Sequence, residues 1–189
     1  MNKVSIITRT KNREILLRRA LRSVLSQSHE DWEMIIVNDG GDPSPVDRLL
    51  SSIGDAAQGR IKVIHNPVSL GMEAASNRGI QQASGDYMVI HDDDDSWTPE
   101  FLKIALRELN QQKARWPSVR GIVSRAVRVL EEIKGDDVII HKLEKFRPDV
   151  KVGLIPLDQL LHENMFAPIQ FIYERAVIME IGNYREDLP

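Results

Sequence analysis

The chain has 189 residues, 42% of them hydrophobic and 28% charged, and no cysteine. A chain of that size can bury roughly 70% of its extended surface in one α/β domain, and its composition excludes a disordered or fibrous protein as well as disulfides, thiolate metal sites and cysteine nucleophiles. The net charge of −3, with both signs mixed, gives no support for nucleic-acid binding.

No apolar run approaches the ~18 residues of a membrane span. The opening Met1-Asn-Lys-Val-Ser-Ile-Ile7 is too short for a secretory signal and reads as a first strand. Val4 to Thr8 is β-branched. From Arg13 to about Gln27, the residues Leu16, Leu17, Ala20, Leu21, Val24 and Leu25 recur on one helical stripe. Glu33 to Asn38, centred on Met34-Ile35-Ile36-Val37, is an apolar strand of the buried parallel type. Ser44 before Pro45 predicts a cap and first residue for a short helix to about Ile53. A third strand follows at Ile61 to His65, a third helix at Gly71 to Ala83 and a fourth strand at Asp86 to His91. Thr98-Pro99-Glu100 repeats the cap-and-proline signal for a helix to about Gln112.

Beyond Trp116 the pattern changes. Gly121 to Leu130 and Val138 to His141 read as strands, joined by a hairpin turn at Lys134-Gly135-Asp136-Asp137. A loop spans Arg147 to Pro156, a short helix Asp158 to Glu163 and a strand Ile169 to Tyr173. A last helix, Glu174 to Ile181, ends at Gly182. The expectation is one α/β domain over 1–189: a βαβαβαβ half over 1–115, then a mixed half over 116–189.

Ligands of open parallel sheets bind at the carboxyl ends of the strands. Two such ends carry unusual polar residues, Asn38-Asp39-Gly40-Gly41 and His91-Asp92-Asp93-Asp94-Asp95. Four adjacent carboxylates do not all ionise cheaply without a cation or water. An extended backbone would send Asp92 and Asp94 to one side and Asp93 and Asp95 to the other. A carboxylate pair facing a crevice suits Mg²⁺ or Mn²⁺ with phosphates completing the shell. The other reading of the run is a solvated acidic turn before the next helix. A calcium loop counted from Asp92 fails, with Trp97 in place of its glycine and Lys103 in place of its last glutamate. A phosphate-binding Gly-x-x-x-x-Gly-Lys-Ser/Thr loop, a dinucleotide Gly-x-Gly-x-x-Gly and a Gly-x-Ser-x-Gly elbow are all missing. His29, His65, His91, His141 and His162 show no metal-binding spacing.

Together these residues resemble the family 2 glycosyltransferases with the GT-A fold, a mostly parallel nucleotide-binding sheet flanked by helices. Val4-Ser-Ile-Ile-Thr-Arg-Thr-Lys-Asn-Arg13 is similar to that family's opening strand and loop. Gln27 to Gly41 is similar to its second strand, Gly71-Met-Glu-Ala-Ala-Ser-Asn-Arg-Gly79 to the helix start before the metal strand, and Asp86 to Pro99 to the strand with the Asp-x-Asp motif. The resemblance implies that Thr10, Asn12 and Arg13 line a nucleotide pocket and that Asp39 accepts a hydrogen bond from the base. It implies that Gly71, Asn77 and Arg78 approach the donor, and that Asp92 and Asp93 contribute to nucleotide-sugar binding. Asp94 would be the direct metal ligand, with Asp92 at the ribose or a metal-bound water, and Asp95 follows as in many members. Lys11 stands where an aromatic residue is common and Ser76 where an arginine is common.

The implied reaction is metal-dependent, inverting transfer from a UDP- or dTDP-sugar to a hydroxyl of a saccharide or lipid-linked saccharide. Mg²⁺ or Mn²⁺ would serve as cofactor, in cytoplasmic polysaccharide assembly with or without contact at the inner face of the membrane. Gly182-Asn-Tyr-Arg-Glu-Asp-Leu-Pro189 is similar to the family's lead-in to its catalytic base. The base is then expected past Pro189, with Glu186 and Asp187 as the local carboxylates. Two readings stand at this stage: the donor-binding core of a longer transferase, or a non-catalytic nucleotide-sugar-binding module or degenerate copy. A nucleotidyltransferase is disfavoured, because Thr8-Arg-Thr-Lys-Asn-Arg13 has no glycine.

Overall fold

Continuous apolar strands send side chains to both faces of a sheet, so both faces need cover. The computed structural model describes every residue except Met1, Gln58, Asp136, Leu188 and Pro189. It pairs β1 (Val4–Thr10) in parallel with both β2 (Trp32–Asp39) and β4 (Tyr87–Ile90), and β2 in parallel with β3 (Ile61–Asn66). Helices α1 (Glu14–Leu25), α2 (Pro43–Ile53) and α3 (Met72–Ile80) connect these strands, and α4 (Phe101–Arg115) follows them. β5 (Gly121–Val123) comes next. The hairpin β6 (Val127–Lys134) and β7 (Asp137–Lys145) forms its own two-stranded sheet. After α5 (Leu157–His162), β8 (Phe171–Glu174) runs antiparallel between β4 and β5, and α6 (Arg175–Ile181) is followed by an irregular segment to Asp187. The main sheet therefore has six strands in the order β3-β2-β1-β4-β8-β5.

The strand alternation divides the core in two. Ile6, Met34, Ile36 and Val89 pack under Leu17 and Leu21 of α1, Leu49 of α2 and Leu102 and Leu109 of α4. Ile7, Ile35, Val37 and Met88 pack under Ala75 and Ile80 of α3 and Ile178 of α6. Helix α3 lies close on β1 because residue 79 is glycine: a Cβ there would come 2.5 Å from the Ile7 side chain.

Several expected boundaries move, each for a physical reason. The second helix starts two residues early, because the Asp42 carboxylate accepts the Ser44 N–H at 2.9 Å and Pro43 takes the first helical position. Thr98 caps nothing with its side chain. Helix α4 begins at Phe101, and the side chain of distant Gln27 accepts the Leu102 N–H at 3.0 Å. The expected strand Gly121 to Leu130 breaks at 124–126, where the chain leaves the main sheet for the hairpin. The hairpin turn includes Asp136, which lies outside the described residues, while Lys134 pairs with Asp137 across it.

Glu33 is a buried charge within the apolar second strand. Its carboxylate accepts from the Ser5 hydroxyl at 2.8 Å, the Ser84 N–H at 2.5 Å and the Lys3 ammonium at 3.2 Å. Burial alone would raise its pKa, but the Ser84 and Ser5 bonds and Lys3 outweigh burial and hold it near 2 instead of 4.5. A depressed carboxylate stabilises the fold above its unfolded pKa, and that contribution is lost as pH falls from about 4.5 toward 2. We therefore expect wild type to lose about 2 kcal/mol more than Glu33→Gln between pH 7 and pH 3, read from urea unfolding at both pH values.

Candidate functional site

Because β1 to β4 are parallel, their carboxyl ends share one edge of the sheet, where β1, β2 and β3 end in Thr10, Asp39 and Asn66 and His91 follows β4. Strand β4 stops at Ile90, and the Asp95 N–H donates to the Asp92 carbonyl at 3.1 Å, so residues 92–95 form a turn. The extended arrangement that would separate Asp92 and Asp94 from Asp93 and Asp95 does not form. Instead, a single Arg13 nitrogen reaches Asp93 at 3.0 Å and Asp94 at 3.2 Å. Asp93 also accepts the Thr10 hydroxyl at 2.7 Å, and Arg9 pairs with Oδ1 of Asp92.

The carboxylates of the turn differ sharply in exposure: the Asp93 side chain is 4% exposed and that of Asp94 51%. Burial raises the Asp93 pKa, partly offset by Thr10 and Arg13. Burial, together with the charges of Asp94 and Asp92, pushes Asp95 up to about 7. Hydrogen bonding to Asp93 raises Arg13 above the ordinary arginine value.

Aromatic packing fixes where the turn sits. His91 is fully buried, and burial lowers its pKa to about 4, so the ring is neutral at pH 7. It meets the edge of Trp97 at 4.3 Å between centroids, and Trp97 stacks on Phe101 at 4.6 Å. The Trp97 indole N–H donates to the Ile169 carbonyl at 3.1 Å, tying the turn to the second half of the chain.

At the end of β2, Asp39 holds the segment leading into α3. Its two oxygens accept from the Asn66 amide at 2.9 Å, the Ser69 hydroxyl at 2.8 Å, the Leu70 N–H at 2.9 Å and the Gly71 N–H at 3.1 Å. Burial pushes its pKa up, but these bonds outweigh that and lower it overall. Gly40 has φ +73°, and a Cβ there would lie 2.4 Å from the Ser69 nitrogen, so the approach of the two loops requires glycine. Gly71 is the residue before α3, with φ +95°. Asn12 adopts φ +55°, and its side chain accepts the Asp42 N–H at 2.9 Å, joining the loops after β1 and β2.

The remaining predicted positions lie on α3 and in the last segment. Asn77 is buried. Its amide donates to the Tyr184 carbonyl at 2.9 Å and to Glu186 at 2.7 Å, and it accepts the Tyr184 N–H at 3.0 Å. Arg78 is exposed and forms no hydrogen bond or ion pair among the described residues. Ser76 is buried and donates to the Met72 carbonyl at 2.8 Å. Asp187 pairs with Arg185 at 2.6 Å. The structure thus brings Thr10, Arg13, Asp92, Asp93 and Asp94 into one network, gives Asp39 and Gly71 a second, and joins Asn77 to Glu186 in a third.

Two residues of the first network escaped sequence reasoning. Arg9 joins Asp92 to the Met72 carbonyl, 3.3 Å away, and Arg19 of α1 donates to the Asp94 carbonyl at 2.5 Å. The available signal was an excess of arginine in the first loop and helix facing an excess of aspartate, which names no pairs. Two concavities lie elsewhere among the described residues: about 550 Å³ lined by Arg147, Leu154 and Met165, and about 620 Å³ lined by Gly85, Glu174 and Met179.

No group of three or more His, Asp or Glu side chains among the described residues is arranged to enclose a metal. The donor chemistry nonetheless fits a hard divalent cation that brings its own phosphates. Such an ion needs only one or two protein carboxylates. Asp94 is exposed with only Oδ2 engaged, and Asp92 uses only Oδ1.

A parallel sheet of order 3-2-1-4 with antiparallel strands beyond it and polar strand ends defines an α/β fold of the GT-A kind. Residues 5–151 match the model of glycosyl transferase family 2, and the chain belongs to that family. Among its relatives is WcaA of Escherichia coli (strain K12), named for colanic acid biosynthesis. It is 38% identical over 109 residues, which cover 57% of this chain and 38% of that protein. The succinoglycan biosynthesis protein ExoW of Rhizobium meliloti (strain 1021) is 34% identical over 110 residues, covering 56% of this chain and 34% of that one. The chain thus spans little more than a third of either relative's length. In fold it is similar to a Pyrobaculum calidifontis mannosyltransferase solved with GDP-Man and Mn²⁺, at TM-score 0.66 and 19% identity, over 98% of this chain and 48% of that one. It is likewise similar to S. aureus TarS 1–349 solved with UDP, at TM-score 0.64 and 20% identity, over 98% and 51% of the two chains. No helix among the described residues is long and apolar enough to cross a membrane.

The Asp39 network yields a test of its own. Asp39→Asn keeps the shape but turns an amide toward N–H donors. We expect a loss of about 1–3 kcal/mol in urea unfolding and faster hydrogen exchange at Leu70 and Gly71. Unchanged exchange at those two amides would contradict the network.

Proposed function

We propose that the chain binds a nucleoside-diphosphate sugar of the UDP or dTDP type and takes part in inverting, metal-dependent transfer to a hydroxyl of a saccharide or lipid-linked saccharide. The observation that carries this reading is the state of the acidic turn. Asp92 and Asp93 are paired to arginines and largely covered, while Asp94, which shares Arg13 through one oxygen only, is 51% exposed at the carboxyl edge of the sheet. Membership of family 2 supports a transferase, and the names of WcaA and ExoW support polysaccharide biosynthesis, which we place in the cytoplasm. The fold's occurrence with GDP-Man and Mn²⁺ and with UDP supports the donor class and the cation.

In this reading, residues 1–115 form the donor half and 116–189 the acceptor-side half. Asp94, with Asp92, would hold Mg²⁺ or Mn²⁺, which when bound neutralises charge on the departing diphosphate. Thr10, Asn12 and Arg13 line the nucleotide side. Arg13 already bridges Asp93 and Asp94 and is a ready partner for a phosphate, since a guanidinium binds phosphate through paired N–H donors. Asp39 would accept a hydrogen bond from the base while it holds the segment ending at Gly71, and exposed Arg78 offers a second cation toward the donor. Glu186, held by Asn77, and Asp187, paired with Arg185, are read as the lead-in to the catalytic base.

Calorimetry with UDP, dTDP and GDP, with and without Mn²⁺, tests the reading. We expect Mn²⁺ to strengthen binding of one diphosphate, and Asp94→Ala to weaken that binding about tenfold or more with Mn²⁺ present but little in its absence. Binding by Asp94→Ala equal to wild type with Mn²⁺ would overturn the site assignment.

A further inference from the structure

Arg19 sits midway along α1 and reaches two elements at once. Its Nη1 donates to both carboxylate oxygens of Glu131 on β6, at 2.7 and 2.6 Å, while Nη2 donates to the Asp94 carbonyl at 2.5 Å. Both side chains of the ion pair are largely covered, at 30% and 17% exposed. The Nε–H of Arg19 is buried without a partner among the described residues, so the pose is kept although one donor is unsatisfied. Glu131 also stands where the hairpin register slips: Leu130 pairs with Lys142, but Glu131 pairs with Ile140. The residue passed over is His141 of β7, so the bulge bends β7 opposite Glu131 and increases the local twist of the ribbon there. A two-stranded ribbon is marginal by itself, so the position of this hairpin depends on its ties to the body.

We infer that Arg19 is a positioning residue that couples the β6–β7 hairpin to the acidic turn, so that the hairpin holds the turn in shape for the donor and a bound donor orders the hairpin. The donor half of this statement rests on the function proposed above. Coupling of this kind is reciprocal: whatever factor the Glu131 tie contributes to donor affinity, the donor returns to the tie. An arginine is required because its planar fork serves two partners in two directions. A lysine ammonium, a point charge on a flexible stem, keeps one of them.

The test uses Glu131→Gln and Arg19→Lys, read by hydrogen exchange and by calorimetry with UDP, dTDP or GDP and Mn²⁺. Without ligand, we expect both variants to speed exchange of the hairpin amides and, about tenfold, of the Asp95 amide in the turn. With ligand, hairpin amides of wild type slow, those of the variants do not, and Glu131→Gln weakens diphosphate binding about threefold to tenfold. A purely local brace predicts otherwise: hairpin exchange rises while the Asp95 amide and the dissociation constant stay at wild-type values, and that result overturns the coupling. Should no diphosphate bind wild type, the functional reading falls by itself, because exchange in the unliganded protein still decides for or against the tie.

Discussion

Four carboxylates following a buried strand repel one another, and the working edge of this sheet is arranged around relieving that repulsion. Two unit charges about 5 Å apart near a protein surface cost on the order of 3 kcal/mol, so an unrelieved run of four would unfold the turn or protonate it. Relief comes from the neighbouring strand and the helix after it. Strand β1 pairs directly with β4, and Arg9, Arg13 and Arg19 emerge from β1, its loop and α1 beside Asp92, Asp93 and Asp94. The strand order, by setting β1 against β4, decides that cations arrive where the anions are.

This arrangement sorts chemically identical residues into different roles. Asp93, desolvated between Thr10 and Arg13, is part of the fold. Asp94 keeps one oxygen free of protein partners among the described residues and faces solvent. At the end of β2, Asp39 does for the loop before α3 what Asp93 does for the turn. Its carboxylate replaces water as the acceptor for backbone N–H groups that a tight segment leaves unpaired. Hydrogen-bonded carboxylates thus frame an exposed one, the arrangement on which the site proposed for a charged ligand rests.

How much of this was legible follows from where each signal is stored. The parallel strands and the stripe of α1 are local patterns, and they appear in the structure nearly where periodicity sets them. The start of α4 was misread because its cap comes from Gln27, a distant residue, and no local rule can see it. The shape of the segment 92–95 stayed open between extended and turned, because its partner Arg13 lies about 80 positions away. Residue types at the site were readable; their pairing was not. Arg9 and Arg19 look like any charged residue of a loop or helix until the strand order puts aspartates beside them.

The second half of the chain was less legible for a related reason: its elements take their positions from long-range ties rather than from their own cores. The hairpin has no layer packed on both its faces, and the Arg19–Glu131 pair links it to the body. The last segment is held by Asn77, whose single amide group makes three bonds to Tyr184 and Glu186. Helix α3 therefore receives the chain from both ends. Asp39 and Arg9 hold the start of that helix, and Asn77, farther along it, holds residues more than a hundred positions later. A rigid first half, closed by parallel pairing and a two-sided core, is what allows single polar side chains to fix the second, since a hydrogen bond positions a segment only as firmly as the element that presents it is itself held.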